Sequence, residues 1–203
     1  MEVRSDAQLL ANWGEGDAAA GESLFGRYYP AVTRFFANKV AGDPVDLIQE
    51  TFLRCLRGRD RLADPDRFRS YLFGIAYNVL REHFRERYGE AGQIDPYTHT
   101  AAGLAPGPGT MVAASDEQRL LLEGLRRIPI ELQVVLELFY WESMTSAAIA
   151  DALDEPHGTV RTRIRRARQL LEAALRELAS DPDVVRRTVA DLDGCAARIR
   201  GLE

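Results

Sequence analysis

A chain of 203 residues with 46% hydrophobic and 28% charged side chains fits one large domain or two small ones and excludes a disordered protein. No apolar run approaches the roughly 20 residues that a membrane helix needs. Met1-Glu2-Val3-Arg4-Ser5-Asp6 also lacks the basic patch and apolar stretch of a signal peptide, so a cytoplasmic protein without membrane insertion is expected.

In chain order, Ser5 or Asp6 can cap a first helix through Trp13. Asp17 caps a second, running to about Val40 and bent at Pro30. Asp43-Pro44 is a start signal, an N-cap followed by proline in the first turn. The helix it opens carries Leu47, Phe52 (with Ile48), Leu53 and Leu56 in one apolar stripe. Asp64-Pro65-Asp66 then breaks the chain. A long helix over about 67–87 follows, with Leu72, Ile75, Ala76, Val79, Leu80 and His83 on one face. Its opposite face carries Tyr71, Asn78, Arg81 and Arg85, the combination that holds unstacked bases, because rings stack on them and arginines grip the backbone. An ordinary solvated face is the alternative for this helix taken alone.

Residues 89–115 hold five glycines and three prolines with no sustained apolar period, which predicts a flexible linker. It separates a module at 5–88 from one at 116–178. In the second module Asp116 starts a helix containing Leu120, Leu121, Leu125 and Ile128. Pro129 opens another, Ile130 to Trp141, apolar nearly all round and so buried. Met144 to Leu153 reads as a short helix capped by Thr145 or Ser146, Asp154 to Gly158 as a turn, and Thr159 as the cap or opening of a longer helix to about Leu178. No alternating strand pattern is visible, so the fold class expected is all-α.

Short helix, tight turn and basic helix is the helix-turn-helix order. Ala148 and Ala150 are small enough for close packing, and Ile149 and Leu153 point toward Val160 and Ile164. Val160, Ile164, Ala167, Leu171 and Leu175 form one core stripe. At about 100° per residue, Arg161, Thr162, Arg163, Arg165 and Arg166 then fall on the outward arc, with Thr159 at its start. Arginine pairs bidentately with guanine in the major groove or holds phosphates, so DNA binding is expected here. The net charge of −5 does not oppose this, because residues 157–176 hold six arginines against one glutamate and residues 67–88 five against two. Local field governs phosphate contact more than total charge does.

Enzymatic chemistry finds no constellation. Asp64/Asp66 and Asp151/Asp154 suit turns and caps, and there is no phosphate-binding glycine loop and no nucleophile with a matched base. Cys55 and Cys195 are the only cysteines, beside three scattered histidines, which predicts reduced, half-buried thiols, no metal site and no cofactor. Beyond residue 178, Ser180-Asp181-Pro182 signals a further helix with Val185, Val189, Leu192, Cys195 (or Ala196) and Ile199 at helical spacing. This tail either packs on the second module or makes a regulatory contact over a binding face.

Three motifs in order carry a family resemblance: Asp46-Leu47-Ile48-Gln49-Glu50-Thr51-Phe52-Leu53; Phe68-Arg69-Ser70-Tyr71-Leu72-Phe73-Gly74-Ile75-Ala76-Tyr77-Asn78; and Gly158-Thr159-Val160-Arg161-Thr162-Arg163-Ile164-Arg165-Arg166-Ala167-Arg168. Over roughly residues 5–176 the chain resembles an extracytoplasmic-function sigma factor, the small two-domain class of the sigma-70 family. The resemblance implies that the first module reads the promoter −10 element, through Arg67, Arg69, Tyr71, Asn78, Arg81 and Arg85, and helps melt the duplex. It implies that the second reads the −35 element, and that the Asp46–Leu56 helix docks on core RNA polymerase through Asp46, Gln49, Glu50, Phe52 and Leu53. Partners implied are core polymerase, promoter DNA and an anti-sigma factor or other regulator. Val45 departs from the family, standing where an acid is usual; this would weaken the polymerase contact or make it depend on another factor. A stand-alone helix-turn-helix regulator, with residues 5–88 sensing a ligand or dimerising, is the competing reading.

Overall fold

The computed structural model describes residues 4–58, 62, 64–88, 100–102, 115–179 and 181–200. Helices are α1 (Asp6–Gly14), α2 (Ala18–Ala37), α3 (Val45–Gly58), α4 (Phe68–Tyr88), α5 (Asp116–Arg126), α6 (Ile130–Tyr140), α7 (Ser146–Leu153), α8 (His157–Leu178), α9 (Pro182–Ala190) and α10 (Leu192–Arg200). Their starts follow the capping residues. Ser5 and Ser115 each form a capping box, with Gln8 and Gln118, and Asp17, Thr145 and Asp181 accept from first-turn amides; each satisfies donors that a helix end leaves orphaned. Among the described residues there is no strand, only an isolated bridge between Thr100 and Pro129.

Several boundaries and faces differ from expectation. α2 runs through Pro30 and ends at Ala37. α8 opens at His157 with Pro156 as its N-cap, so the turn after α7 is shorter than Asp154–Gly158 and Thr159 lies inside the first turn. Asp154 makes that tight turn possible by taking a left-handed conformation (φ 52°). In α3 the buried row is Ile48, Thr51 and Cys55, which leaves Leu53 and Leu56 more than 40% exposed; the predicted apolar stripe is only partly a core face. Both thiols are fully buried rather than half-buried, and burial pushes that of Cys55 up to about 12.

The linker expectation falls mostly outside the described residues, but residues 100–102 are docked on the second module. Ala101 is fully buried, and its carbonyl accepts from Arg126 Nη2 at 3.0 Å. The tail packs on the same module: Val185, Leu192, Cys195 and Ala196 join Leu121, Leu125, Leu136, Leu171 and Leu175 in one core. Arg200 Nη1 closes that contact by donating to the carbonyl of Tyr140 at 2.9 Å. The side chain of Ile199 lies outside the described set.

The two modules also pack on each other. Phe35, Phe36, Leu72, Phe73, Ala76 and Tyr77 of the first share a core with Val134, Leu138, Ile149, Leu153 and Val160 of the second. A polar seam accompanies this apolar contact. Lys39, the only lysine in the chain, is fully buried and pairs with Glu137. Tyr77 donates to Glu131, Arg34 pairs with Glu142 at 3.3 Å, and Arg69 Nη1 donates to the Glu142 carbonyl at 2.7 Å.

Candidate nucleic-acid and polymerase interfaces

The stripe Val160, Ala167, Leu171 and Leu175 is buried, with Ile164 half-buried. This fixes the rotation of α8 and turns Arg161, Thr162, Arg165 and Arg166 to solvent. Thr159 is half-buried. Arg163 departs from the outward arc: its side chain is 12% exposed and pairs with Glu155 at 3.1 Å, which makes it a brace of the turn. Ser146 Oγ and His157 Nε2, 2.7 Å apart, tie the start of α7 to the start of α8. A concavity of about 390 Å³ lies beside the first turns of α8, lined by Leu132, Gly158, Thr159, Thr162, Arg163 and Arg166. Four outward side chains on a convex basic helix, none paired to a carboxylate among the described residues, can donate to base edges or phosphates.

α4 positions the second basic surface. Asn78, Arg81 and Arg85 are exposed and Tyr71 half-buried, while Leu72, Ala76, Val79 and Leu80 are buried as expected. Arg81 lies over the Tyr77 ring at 5.6 Å, and Arg69 over the Tyr28 ring at 5.7 Å, which holds two guanidinium groups at the surface. Arg67, Tyr71 and Asn78 line a cleft of about 440 Å³, whose opposite wall is Asp151 and Ala152 of α7. Arg67 pairs with Asp151 there. Three of the six predicted −10 residues therefore share this cleft, with the helix-turn-helix against them, whereas Arg69 is turned to Tyr28 and the Glu142 carbonyl and Arg81 and Arg85 lie outside the cleft lining.

On α3, Asp46 and Gln49 are exposed. Glu50 is held by Arg54 at 2.6 Å, and Arg54 reaches Glu82 of α4 at 2.7 Å, so Glu50 is partly committed to holding the two helices together. Phe52 leans on Phe25, with ring centroids 4.9 Å apart, which makes it a support rather than a free contact. Sequence reasoning placed Val45 at the polymerase contact but missed Leu56 as a surface residue, although 45, 49, 53 and 56 fall on one helical row. Val45 is 38%, Leu53 44% and Leu56 43% exposed, an apolar row open to solvent.

The Sigma-70 region 2 family model matches residues 24–89, and the Sigma-70 region 4 model matches residues 118–171. The ECF RNA polymerase sigma-E factor of Haemophilus influenzae is 25% identical over 186 residues, covering 87% of this chain and 98% of that protein. The sigma-E factor of Escherichia coli K12 is 27% identical over 186 residues, covering 87% and 97%. The structure of CnrH in complex with the cytosolic domain of CnrY has a similar fold, with a TM-score of 0.61 at 24% identity, covering 86% of this chain and 99% of that one. With regions 2 and 4 in order and sigma-E relatives matched over nearly their whole length, the chain belongs to the sigma-70 family as an extracytoplasmic-function sigma factor.

Proposed function

We propose that this protein divides its work among three surfaces. The exposed arginines of α8, Arg161, Arg165 and Arg166 with Thr162, read the −35 element. Arg67, Arg69, Tyr71, Asn78, Arg81 and Arg85 hold the −10 element, and α3 docks on core RNA polymerase through Asp46, Gln49, Leu53 and its apolar row. As an extracytoplasmic-function sigma factor, the protein directs promoter-specific transcription initiation by core RNA polymerase. It acts by binding and not by catalysis, in the cytoplasm beside the polymerase. A regulator of the anti-sigma kind is a further partner, since the similar CnrH was solved in complex with the cytosolic domain of CnrY.

The observation that carries the division of labour is the burial pattern of α8, whose stripe is fixed in the core while four of its predicted DNA residues face water. On α3, Val45 substitutes apolar area for charge at the polymerase contact, so that contact should tolerate salt better than an acidic one. Transcription with core polymerase on a library of upstream regions tests the proposal. Initiation where core alone is silent is expected, and Arg165→Ala with Arg166→Ala should reduce it at least 10-fold with the fold intact. Equal initiation by the double variant would sink the assignment of α8. A stand-alone regulator would instead bind a palindromic site tightly without core.

A further inference from the structure

Resting on the assignment of Tyr71 to the −10 element, we propose that Gly58, the last residue of α3, is a positioning residue for strand capture. Having no side chain, it lets the Tyr71 hydroxyl seat against the end of α3, and that seat fixes the ring on which an unpaired base stacks. Helix propensity disfavours glycine, yet α3 ends on one. A Cβ added at this position would overlap the Tyr71 hydroxyl. The ring carbon that bears the hydroxyl would lie 3.5 Å from the same Cβ, an ordinary van der Waals contact. Only the hydroxyl oxygen needs the room that glycine leaves.

Both sides of this contact are anchored. Ile48, Thr51 and Cys55 bury one face of α3, and Arg54 ties the helix to α4 by reaching Glu82 at 2.7 Å. On α4 the neighbours of Tyr71, Ser70 and Leu72, are buried, so the backbone that carries the ring is set in the core. Tyr71 itself is half-buried and lines the cleft of about 440 Å³ together with Arg67, Ile75 and Asn78. Residues 71, 75 and 78 lie on one row of the helix. A base entering the cleft meets a ring to stack on and a guanidinium for the adjacent phosphate, the two contacts by which single strands are held.

The arrangement places two steps of initiation on one rigid element. The exposed row of α3 that meets the polymerase includes Leu53 and Leu56, and Gly58 follows on the same helix. The polymerase-bound helix therefore sets the orientation of the stacking ring. Stacking on an aromatic ring is worth roughly 5- to 150-fold in binding per base. A methyl group at position 58 forces the hydroxyl back by about 1 Å to regain a normal contact distance, and the ring swings with it because the backbone on both sides is fixed. Misplacement of that size costs up to about 100-fold at a site that depends on orientation. A loss of about 10-fold follows for a ring that is displaced but still present.

The test uses the full-length chain with Gly58→Ala, Tyr71→Phe and both together, each combined with core polymerase. The probe is a promoter taken from the library of upstream regions and labelled with 2-aminopurine in its −10 segment. Fluorescence follows strand opening, and anisotropy at a temperature too low for opening measures duplex affinity. Gly58→Ala should slow opening about 10-fold while duplex affinity stays within about 2-fold. Its urea midpoint should be no lower than that of wild type, since alanine is the better helix former. Tyr71→Phe removes the atom that needs the room, so adding Gly58→Ala in that background should change opening by less than about 2-fold. That rescue distinguishes positioning of the ring from a general structural role. A Gly58→Ala cost as large in the Tyr71→Phe background as in wild type would overturn the role of Gly58. So would a Gly58→Ala chain that loses its fold, or one that opens the promoter at the wild-type rate while Tyr71→Ala is defective. If Tyr71→Ala also opens it at the wild-type rate, the −10 assignment of Tyr71 fails first and the positioning role fails with it.

Discussion

The Lys39–Glu137 pair can be dissected by a double-mutant cycle whose outcome follows from its burial. The Lys39 side chain is fully buried and that of Glu137 is 10% exposed. Burial pulls the Lys39 amine below its usual range, outweighing the attraction of Glu137. A pair whose desolvation exceeds its Coulombic gain is weakly stabilising as a unit, yet removing one partner strands the other. Lys39→Met keeps the apolar stem and strands Glu137 with only the Gln133 amide, 2.9 Å from its carboxylate. The expected loss is about 3 kcal/mol, the lower end of the range for a broken buried pair, because Glu137 retains that hydrogen bond. Glu137→Leu should cost a similar amount by leaving the amine buried against the Phe35 carbonyl and ring. The double variant should fall within about 1 kcal/mol of wild type, giving a coupling of several kcal/mol. Urea unfolding followed by circular dichroism measures each free energy. Additive effects, or a Lys39→Met cost below about 1 kcal/mol, would refute the view that this pair is the polar centre of the module boundary.

Leu53→Ser with Leu56→Ser should leave stability within about 0.5 kcal/mol, as for exposed positions generally, while core polymerase affinity by fluorescence anisotropy falls more than 10-fold. Truncation after Leu178 should destabilise the second module by roughly 5 kcal/mol in calorimetry, since Val185, Leu192, Cys195 and Ala196 are all at most 3% exposed and full burial is worth ~1.5–3 kcal/mol for a large apolar side chain. A truncated chain that melts like wild type would show the tail's packing to be superficial. Burial raises the carboxyl of Glu131, which faces Tyr77, Arg163, Arg81 and Glu155, and that of Glu142, which faces Arg34, Arg69 and Arg200. Unfolding returns both to ordinary values, so through these two groups the folded chain binds protons more readily and gains stability as pH falls from neutrality toward the carboxylate range; urea midpoints across that range should rise for wild type and flatten in Glu131→Gln with Glu142→Gln.

Periodicity revealed what a single element decides for itself. The α8 stripe was readable because Val160, Ala167, Leu171 and Leu175 bury one side of one helix, and the caps Asp17 and Asp181 because their hydrogen bonds are local. The module boundary was not readable, because its partners lie far apart in sequence. α4 buries Phe73 and Tyr77 as well as its predicted face, and a second buried face flattens the periodic signal. Its cause is a helix more than 50 residues away, where Glu131 accepts from Tyr77. One signal was present but unused. α6 reads as apolar nearly all round yet contains Glu131, Gln133 and Glu137, all buried, and a buried carboxylate demands a donor from elsewhere in the molecule. The start of α8 was misplaced for the opposite reason: Pro156 occupies the N-cap with no side-chain hydrogen bond, so the usual polar marker is missing.

The ion pair between Arg67 and Asp151 also changes how one arginine should behave compared with its neighbours. Arg67 is paired with Asp151, whereas Arg81 is exposed and stacked over Tyr77. A free guanidinium that meets a phosphate of a single strand releases a counterion and contributes about 0.7 to the salt slope. Arg67 must first give up a carboxylate, so in the free chain its phosphate contact is an exchange of one anion for another, with little net release. Arg67→Ala removes the phosphate contact together with the ion pair that competes with it, and the two effects oppose each other. Where core polymerase draws Asp151 away from Arg67, only the loss remains. Arg67→Ala should therefore leave binding of −10 single strands by the free protein within about 2-fold of wild type, the offset of two terms each worth roughly 0–1 kcal/mol. In the polymerase complex it should weaken binding about as much as Arg81→Ala and lower the salt slope by about 0.7. Arg81→Ala should weaken both. Filter binding across a salt series separates the cases, and an Arg67→Ala defect of equal size in free and polymerase-bound protein would mean that Asp151 does not compete for this guanidinium.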